Sequence, residues 1–195
     1  LVDAPLMLAR LRLDSEEYDD AEREATRALD TDPGSPAAHA LIAASRYMRD
    51  DRKGFEEASR RALERDPRSV VLHATLAEVA RRNRRYQDAV DFSRRAVLQD
   101  STSAVAQGAL GMNALRVGRF DTARVHLERA FARDPYHVWI KNTLDLLDTF
   151  PKYEETRTAH FQVLVHGKES ELLSPYLGDL VEDAYERLAE RYRYR

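Results

Sequence analysis

The sequence predicts an all-α protein: an α-solenoid of antiparallel helix hairpins, followed by a short strand-plus-helix segment. Three observations predict it. The tripeptides Thr31-Asp32-Pro33, Arg65-Asp66-Pro67, Gln99-Asp100-Ser101 and Arg133-Asp134-Pro135 end at positions 33, 67, 101 and 135, each 34 after the last. A fixed period of this length marks stacked supersecondary units. Small residues repeat in the same register, with Ala28, Ala62, Ala96 and Ala130 near the end of each unit. They leave room for a second helix to come close. The period then stops at Phe150, and an alternating apolar run follows.

Each unit reads as two helices. The stretch YQDAVDFSRRAVLQDS at 86–101 shows the second helix best, with Ala89, Ser93 and Ala96 on one face. Asp-Pro pairs end these second helices, because proline disfavours the helical region for the residue before it. Ser35, Ser69 and Ser103 then follow at the same spacing and are expected N-caps for the next first helix, with Pro36 in its first turn. The first helices carry Leu8, Ile42, Leu76 and Leu110 at one repeat position, and Ala9, Ala43, Ala77 and Gly111 at the next. Between the two helices Gly54, Asn83 and Gly118 are expected to take the left-handed turn. Residues 1–150 hold four such units, with 138–150 as the first helix of a fifth.

These features resemble the tetratricopeptide repeat family. The resemblance rests on the large-small pair of the first helix, on YDDA at 18–21, YQDA at 86–89 and FDTA at 120–123, on the later alanine and on the closing proline. Two features depart from the family pattern: Arg12, Arg46, Ala80 and Ala114 stand where an aromatic is typical, and Phe55 where alanine is usual. The resemblance implies a right-handed superhelix whose first helices line a concave groove for a protein or peptide segment. The residues carried onto that groove are Ala37, Ala40, Ala44, Tyr47 and Met48, then Val71, Ala74, Glu78, Arg81 and Arg82, then Val105, Gly108, Met112, Leu115 and Arg116. Ala40, Ala74 and Gly108 occupy places where chaperone-binding relatives need Lys or Asn, so chaperone C-terminal tails are not expected as partners.

After Pro151 the segment KYEETRT reads as a connection, and residues 158–166 as a strand with Ala159, Phe161, Val163 and Val165 on one face. With no sheet partner evident, that strand is expected to be disordered, to fold onto the repeats, or to pair with a second copy through 159–166. Gly167 to Glu171 reads as a turn, and Ser174-Pro175 as the start of a helix over 175–192 with Leu177, Leu180, Val181, Ala184 and Leu188 as its apolar face. The runs TAHFQVLVHGKE at 158–169 and LLSPYLGDLVEDAYERLAERY at 172–192 resemble the opening strand and helix of gluzincin-type peptidase domains that follow such repeats in some bacterial proteins. That resemblance implies a zinc-binding HExxH helix located beyond Arg195. The segment as it stands has none and is expected to be non-catalytic.

Composition narrows the remaining classes. There is no cysteine, which excludes a disulfide framework, a thiol nucleophile and a thiolate metal site. No apolar run approaches the roughly 20 residues of a membrane span. His39 and His73 share a repeat position and read as packing residues, while His160 and His166 read as sharing one strand face; no further ligands accompany them. No nucleophile triad or phosphate loop appears, so no catalytic residue, metal or cofactor is assigned. The net charge is −3, and the arginines of RRNRR at 81–85 are interleaved with acids at helical pairing distance, which disfavours a nucleic-acid scaffold. The acidic run at 14–32 reads as a solvated helix face. The chain begins at Leu1 and ends in RYRYR, and is expected to be a piece of a longer protein; its compartment is left open.

Overall fold

The structure, a computed structural model, describes residues 3–64 and 66–194; Arg65 of the second closing tripeptide and Arg195 lie outside them. The helices come in pairs: α1 (Asp3–Asp14) with α2 (Tyr18–Leu29), α3 (Pro36–Met48) with α4 (Arg52–Glu64), α5 (Val71–Arg82) with α6 (Tyr86–Gln99), and α7 (Ala104–Arg116) with α8 (Phe120–Arg133). Then follow α9 (Val138–Leu147), a 3-10 turn (Phe150–Lys152), β1 (Tyr153–Arg157), β2 (Gln162–His166) and α10 (Gly167–Tyr192). Two compact units divide inside α9, the first ending at Leu144 and the second starting at Asp145.

In the first unit the periodic residues do periodic work. Asp32, Asp66, Asp100 and Asp134 each accept a hydrogen bond from the main-chain N–H two residues on, at 3.2, 2.9, 2.8 and 3.2 Å. The aspartate therefore closes the unit by an Asx turn even at Asp100-Ser101, where proline is missing. Ser35 and Ser103 cap α3 and α7 through the N–H groups of Ala38 and Ala106. Ser69 does not cap α5: its hydroxyl accepts from Val71 at 3.4 Å and the helix begins at that residue.

The left-handed turn sits elsewhere than the glycines suggest. Glu16, Asp50, Arg84 and Gly118 have φ of 61, 58, 59 and 74°, one in each hairpin at the same repeat position. Asn83, with φ of −86°, is the residue before, and Gly54 lies inside α4, where its N–H donates to Asp51 at 3.0 Å. Three non-glycine residues thus carry a conformation costing roughly 1–2 kcal/mol each. Replacing Arg84 by glycine is expected to raise stability by about 0.5–1 kcal/mol, once glycine's larger unfolded-state entropy is subtracted. Urea unfolding of the variant measures it.

The hairpin alanines are fully buried, among them Ala21, Ala25, Ala28, Ala89, Ala96, Ala123 and Ala130. Leu41, Leu72, Leu76 and Leu127 are among the largest fully buried side chains. Each contributes about 1.5–3 kcal/mol relative to exposure.

One junction is irregular. Helix α3 packs on α5 as well as on α2 and α4, whereas α4 touches α5 little. Phe55 explains part of this. It stands where Ala21, Ala89 and Ala123 let the next helix approach, and it packs on the Tyr47 ring at 5.9 Å instead. Small residues on α3 offer α5 the closer seat. Consistently, every residue from Ala38 to Ser45 is buried, as in a helix that is covered on all sides.

The second unit corrects the reading of the tail. Residues 153–157, read as a connection, form β1 and pair antiparallel with β2 in the register Tyr153↔His166 to Arg157↔Gln162. The strand at 162–166 therefore has a partner within its own chain, and the premise for pairing with a second copy falls away. Ala159 and His160 lie in the bend between the strands, so His160 and His166 do not share a strand face. His160 stacks on Tyr185 with ring centroids 3.8 Å apart and pairs with Glu182 at 2.7 Å. The expected turn at 167–171 is helical: α10 starts at Gly167 behind His166, whose ring nitrogen accepts from Lys168, and Pro175 lies inside the helix. Proline there leaves the Glu171 carbonyl without its helical donor, a cost the helix absorbs rather than ending.

Candidate functional site

Three first helices of the first unit, α5, α7 and α9, enclose a cleft of about 340 Å³. The spacing of the α7 residues puts them on one face: Val105, Gly108, Ala109, Met112, Asn113 and Arg116 follow one another at three- and four-residue steps. Ala74, Ala77, Glu78 and Arg81 of α5 form the opposite wall. Asp134, His137 and Ile140 close it on the α9 side. The floor is short-chained because Ala74, Ala77, Gly108 and Ala109 stand there. A Cβ on Gly108 would lie 3.1 Å from Ile140 Cδ1, a contact that needs the end of that side chain to give by a few tenths of an ångström.

The charged rim is mostly self-paired. Glu78 accepts from Arg81 Nε at 2.8 Å and from Arg82 Nε at 2.7 Å. The hydrogen bond from Arg81, with a second from Arg82, holds its carboxyl at about 2, against the desolvation that pushes it up. Asp134 receives the Tyr136 N–H and His137 Nδ1 accepts from the Ile140 N–H at 3.4 Å. Arg116 lines the cleft and has no carboxylate partner among the described residues.

Of the residues assigned to the groove from sequence, the structure brings Ala74, Glu78, Arg81, Val105, Gly108, Met112 and Arg116 together in this cleft. Arg82 lies in an adjoining hollow of about 280 Å³ with Arg10, Leu13 and Asp14, and pairs with Asp14 at 2.9 Å. Ala40 and Ala44 are corrected: both are 0% exposed in the core around α3 and do not border the cleft. Tyr47, Met48 and Val71 pack against that same core. Tyr47 meets the Phe92 ring edge-on at 5.2 Å and hydrogen-bonds Asp88, and burial first, then Asp88, pushes its hydroxyl up to about 12. Ala37 and Leu115 are half-buried and do not border the cleft. Sequence reasoning missed Ala77, Ala109, Asn113 and Ile140. The one signal for Ile140 is that it repeats the position of Ala38, Leu72 and Ala106.

The arginine-rich middle is neutralised locally. Arg60 and Arg61 pair with Glu57, Arg94 with Asp91, and Arg85 lies over the Tyr47 ring at 5.1 Å. The acidic run is partly engaged too, since Glu22 holds both Arg46 and Arg49 of α3 and its C-cap. Among the described residues no group of three His, Cys, Asp or Glu is arranged to hold a metal, and no helix is long and apolar enough to cross a membrane.

Comparison with known proteins gives the same architecture. Residues 6–69, which take in the first two hairpins, match the tetratricopeptide repeat family model. Among solved structures, PilF of Pseudomonas aeruginosa is similar at 22% identity and a TM-score of 0.50, over 75% of this chain and 67% of that one. At that identity the likeness is one of fold. A thermophilic repeat protein of Thermus thermophilus matches at 21% identity and 0.48, over 75% of this chain and 81% of that one. MamA matches at 18% and 0.48, over 71% and 81%. No curated protein matches the chain in sequence.

Proposed function

We propose that this chain of tetratricopeptide-like hairpins is a protein-interaction scaffold whose working surface is the cleft between α5, α7 and α9. The observation that carries the reading is the cleft itself: an apolar floor of Ala74, Ala77, Gly108 and Ala109 under a charged rim, built on packed helices. Such a floor accepts aliphatic side chains of a bound segment. Its walls are held by hairpin packing, so little ordering entropy is lost on binding. Nothing in the cleft supplies a nucleophile with a base, and the reading is non-enzymatic. In a peptide array probed with the purified chain, the bound peptides are expected to lose affinity at least about tenfold for Ala109→Phe, which fills the floor. Retained binding by a folded Ala109→Phe variant would place the interaction surface elsewhere.

A second reading makes the chain the accessory region of a zinc peptidase. The exposed apolar face of the second unit favours it, with Phe161, Val181, Leu188 and Tyr192 around a hollow of about 530 Å³. A helix face of this kind is normally covered by further structure. Reading the gene beyond Arg195 for an HExxH sequence tests it, and a peptidase reading has no basis without one.

A further inference from the structure

The first helices carry a packing seam that is uncovered at α1 alone. Ala4, Ala38, Leu72, Ala106 and Ile140 occupy one repeat position; Leu11, Ser45, Val79 and Asn113 occupy another, two turns further on the same helix face. After α1, each of these residues is at most 5% exposed. In α1, Ala4 is exposed and Leu11 is 60% exposed. Met7 lies between them, where α3 has the buried Leu41, and is 71% exposed. Elsewhere the cover is the hairpin before. Helix α3 packs on α2 and α7 on α6, α5 takes α3, and Ile140 of α9 lies against Gly108 of α7. At α7 the contact is explicit: Asn113 Nδ2 donates to Ser93 Oγ at 2.9 Å and toward the Ala89 carbonyl at 3.5 Å. Ala89 and Ser93 on α6 repeat Ala21 and Ala25 on α2, and all four are 0% exposed.

We infer that the Ala4–Met7–Leu11 face of α1 is a repeat seam and not the end of the stack, and that it takes the small-residue face of the second helix of a further hairpin, one period ahead in the same polypeptide. A stack that ends on a hairpin needs a polar outer face there, and this face is apolar. Its occupant is defined by continuity, because the same seam is already filled within the chain by a hairpin of the same kind. Leu11 is larger than Ser45 and Asn113 at the same place, so the residues facing it have to be small, as Ala21 and Ala25 are. A second copy of this chain has no such face to give. On α2, α6 and α8 the facing positions are 0% exposed, and on α4 the first of them is Phe55. The face is independent of the cleft between α5, α7 and α9, and it stands or falls separately from the reading of that cleft.

The test extends the full chain by a second copy of residues 1–34 joined directly ahead of Leu1, which keeps the period and sets Ala21 and Ala25 of the added hairpin opposite the original α1. Hydrogen exchange of the original α1 amides is expected to slow by at least about tenfold, and that of α8 by less. Ala4→Glu with Leu11→Lys places each charge at the helix end whose dipole favours it. The chain as it stands should therefore keep its urea midpoint with both substitutions, whereas in the extended protein the pair on the original α1 should abolish the gain. An extended protein that gains no protection, or gains it equally with the two charges present, would overturn the seam. In the gene, the residues one period ahead of Ala21 and Ala25 are expected to be small, and the residue one period ahead of Asp32 to be aspartate. A reading frame without that hairpin overturns the preceding repeat as the occupant. A dimer of the chain in light scattering that the two charges dissociate would put a second copy on the face and overturn it as well.

Discussion

Gly111→Leu is expected to lower the unfolding free energy by about 3 kcal/mol, the upper end of what overpacking costs. The position repeats Ala9, Ala43 and Ala77, which are 0, 0 and 1% exposed. At the fourth unit even alanine does not fit. A Cβ on Gly111 would lie 2.6 Å from Leu127 Cγ, 2.8 Å from its Cδ2 and 3.0 Å from its main-chain nitrogen. The last of these is backbone of α8 and cannot swing aside as a side chain can. Helix propensity acts in the opposite direction, since glycine inside a helix costs about 1 kcal/mol relative to alanine. Its presence at mid-helix is therefore explained by the close approach of α7 to α8. Leu127 is itself fully buried, and Leu127→Ala alone should cost about 2–5 kcal/mol. Because the two residues share one volume, the double variant should cost less than the two singles together, by roughly 0.5–3 kcal/mol. Urea unfolding of the four proteins measures the cycle. Strict additivity, or an unchanged midpoint for Gly111→Leu, would mean that α7 and α8 are not in contact at this point.

The features legible in the sequence are those whose chemistry admits one use. Aspartate at 32, 66, 100 and 134 marks the period in the sequence, and in the structure each makes the same Asx turn. The later alanine of each second helix is likewise legible, since a small residue on an otherwise charged helix has little reason to be there except close packing. Features with two uses are not legible in this way. The left-handed turn is occupied by glycine only at Gly118; in the other hairpins the exposed Glu16, Asp50 and Arg84 take it, each donating its N–H three residues back, to the Leu13, Tyr47 and Arg81 carbonyls. Strand β1 was invisible because it is exposed on both faces save at Thr156, so no apolar alternation marks it. At Arg46, where the repeat family has an aromatic, the sequence shows only a departure. The structure gives it a role: its guanidinium holds Glu22 of the preceding hairpin at 2.6 Å and the Gly54 carbonyl at 3.2 Å. Ala74, Glu78, Arg81, Val105, Gly108, Met112 and Arg116 of the cleft followed from repeat position, whereas Ala77, Ala109 and Asn113 on the same two helices did not, and the α3 residues assigned to the groove lie outside it. Alanine suits a groove floor and a helix–helix contact equally, so repeat position alone cannot tell the two apart.

Ala44→Leu separates those two uses, and it is expected to cost about 2–3 kcal/mol. If Ala44 lined an open groove, the added side chain would meet solvent and stability would move by no more than about 0.5 kcal/mol. The structure instead buries it completely within the core that also holds Leu41, Leu72, Leu76 and Val79. Room for a leucine there requires α3 to move away from the helices packed around it, which exposes apolar surface. Ala109→Leu provides the matched comparison. It stands on the floor of the cleft, half-buried, and should shift stability by only about 0.5 kcal/mol while reducing the space for a bound segment. The two substitutions add the same atoms at two alanines of first helices, so their difference isolates burial from composition. A large loss at position 44 with a small one at 109 locates the usable surface on the α5–α7–α9 side alone. Equal, small losses at both would mean that α3 faces an open groove as the repeat pattern suggests, and the interaction surface would then extend across the second hairpin as well.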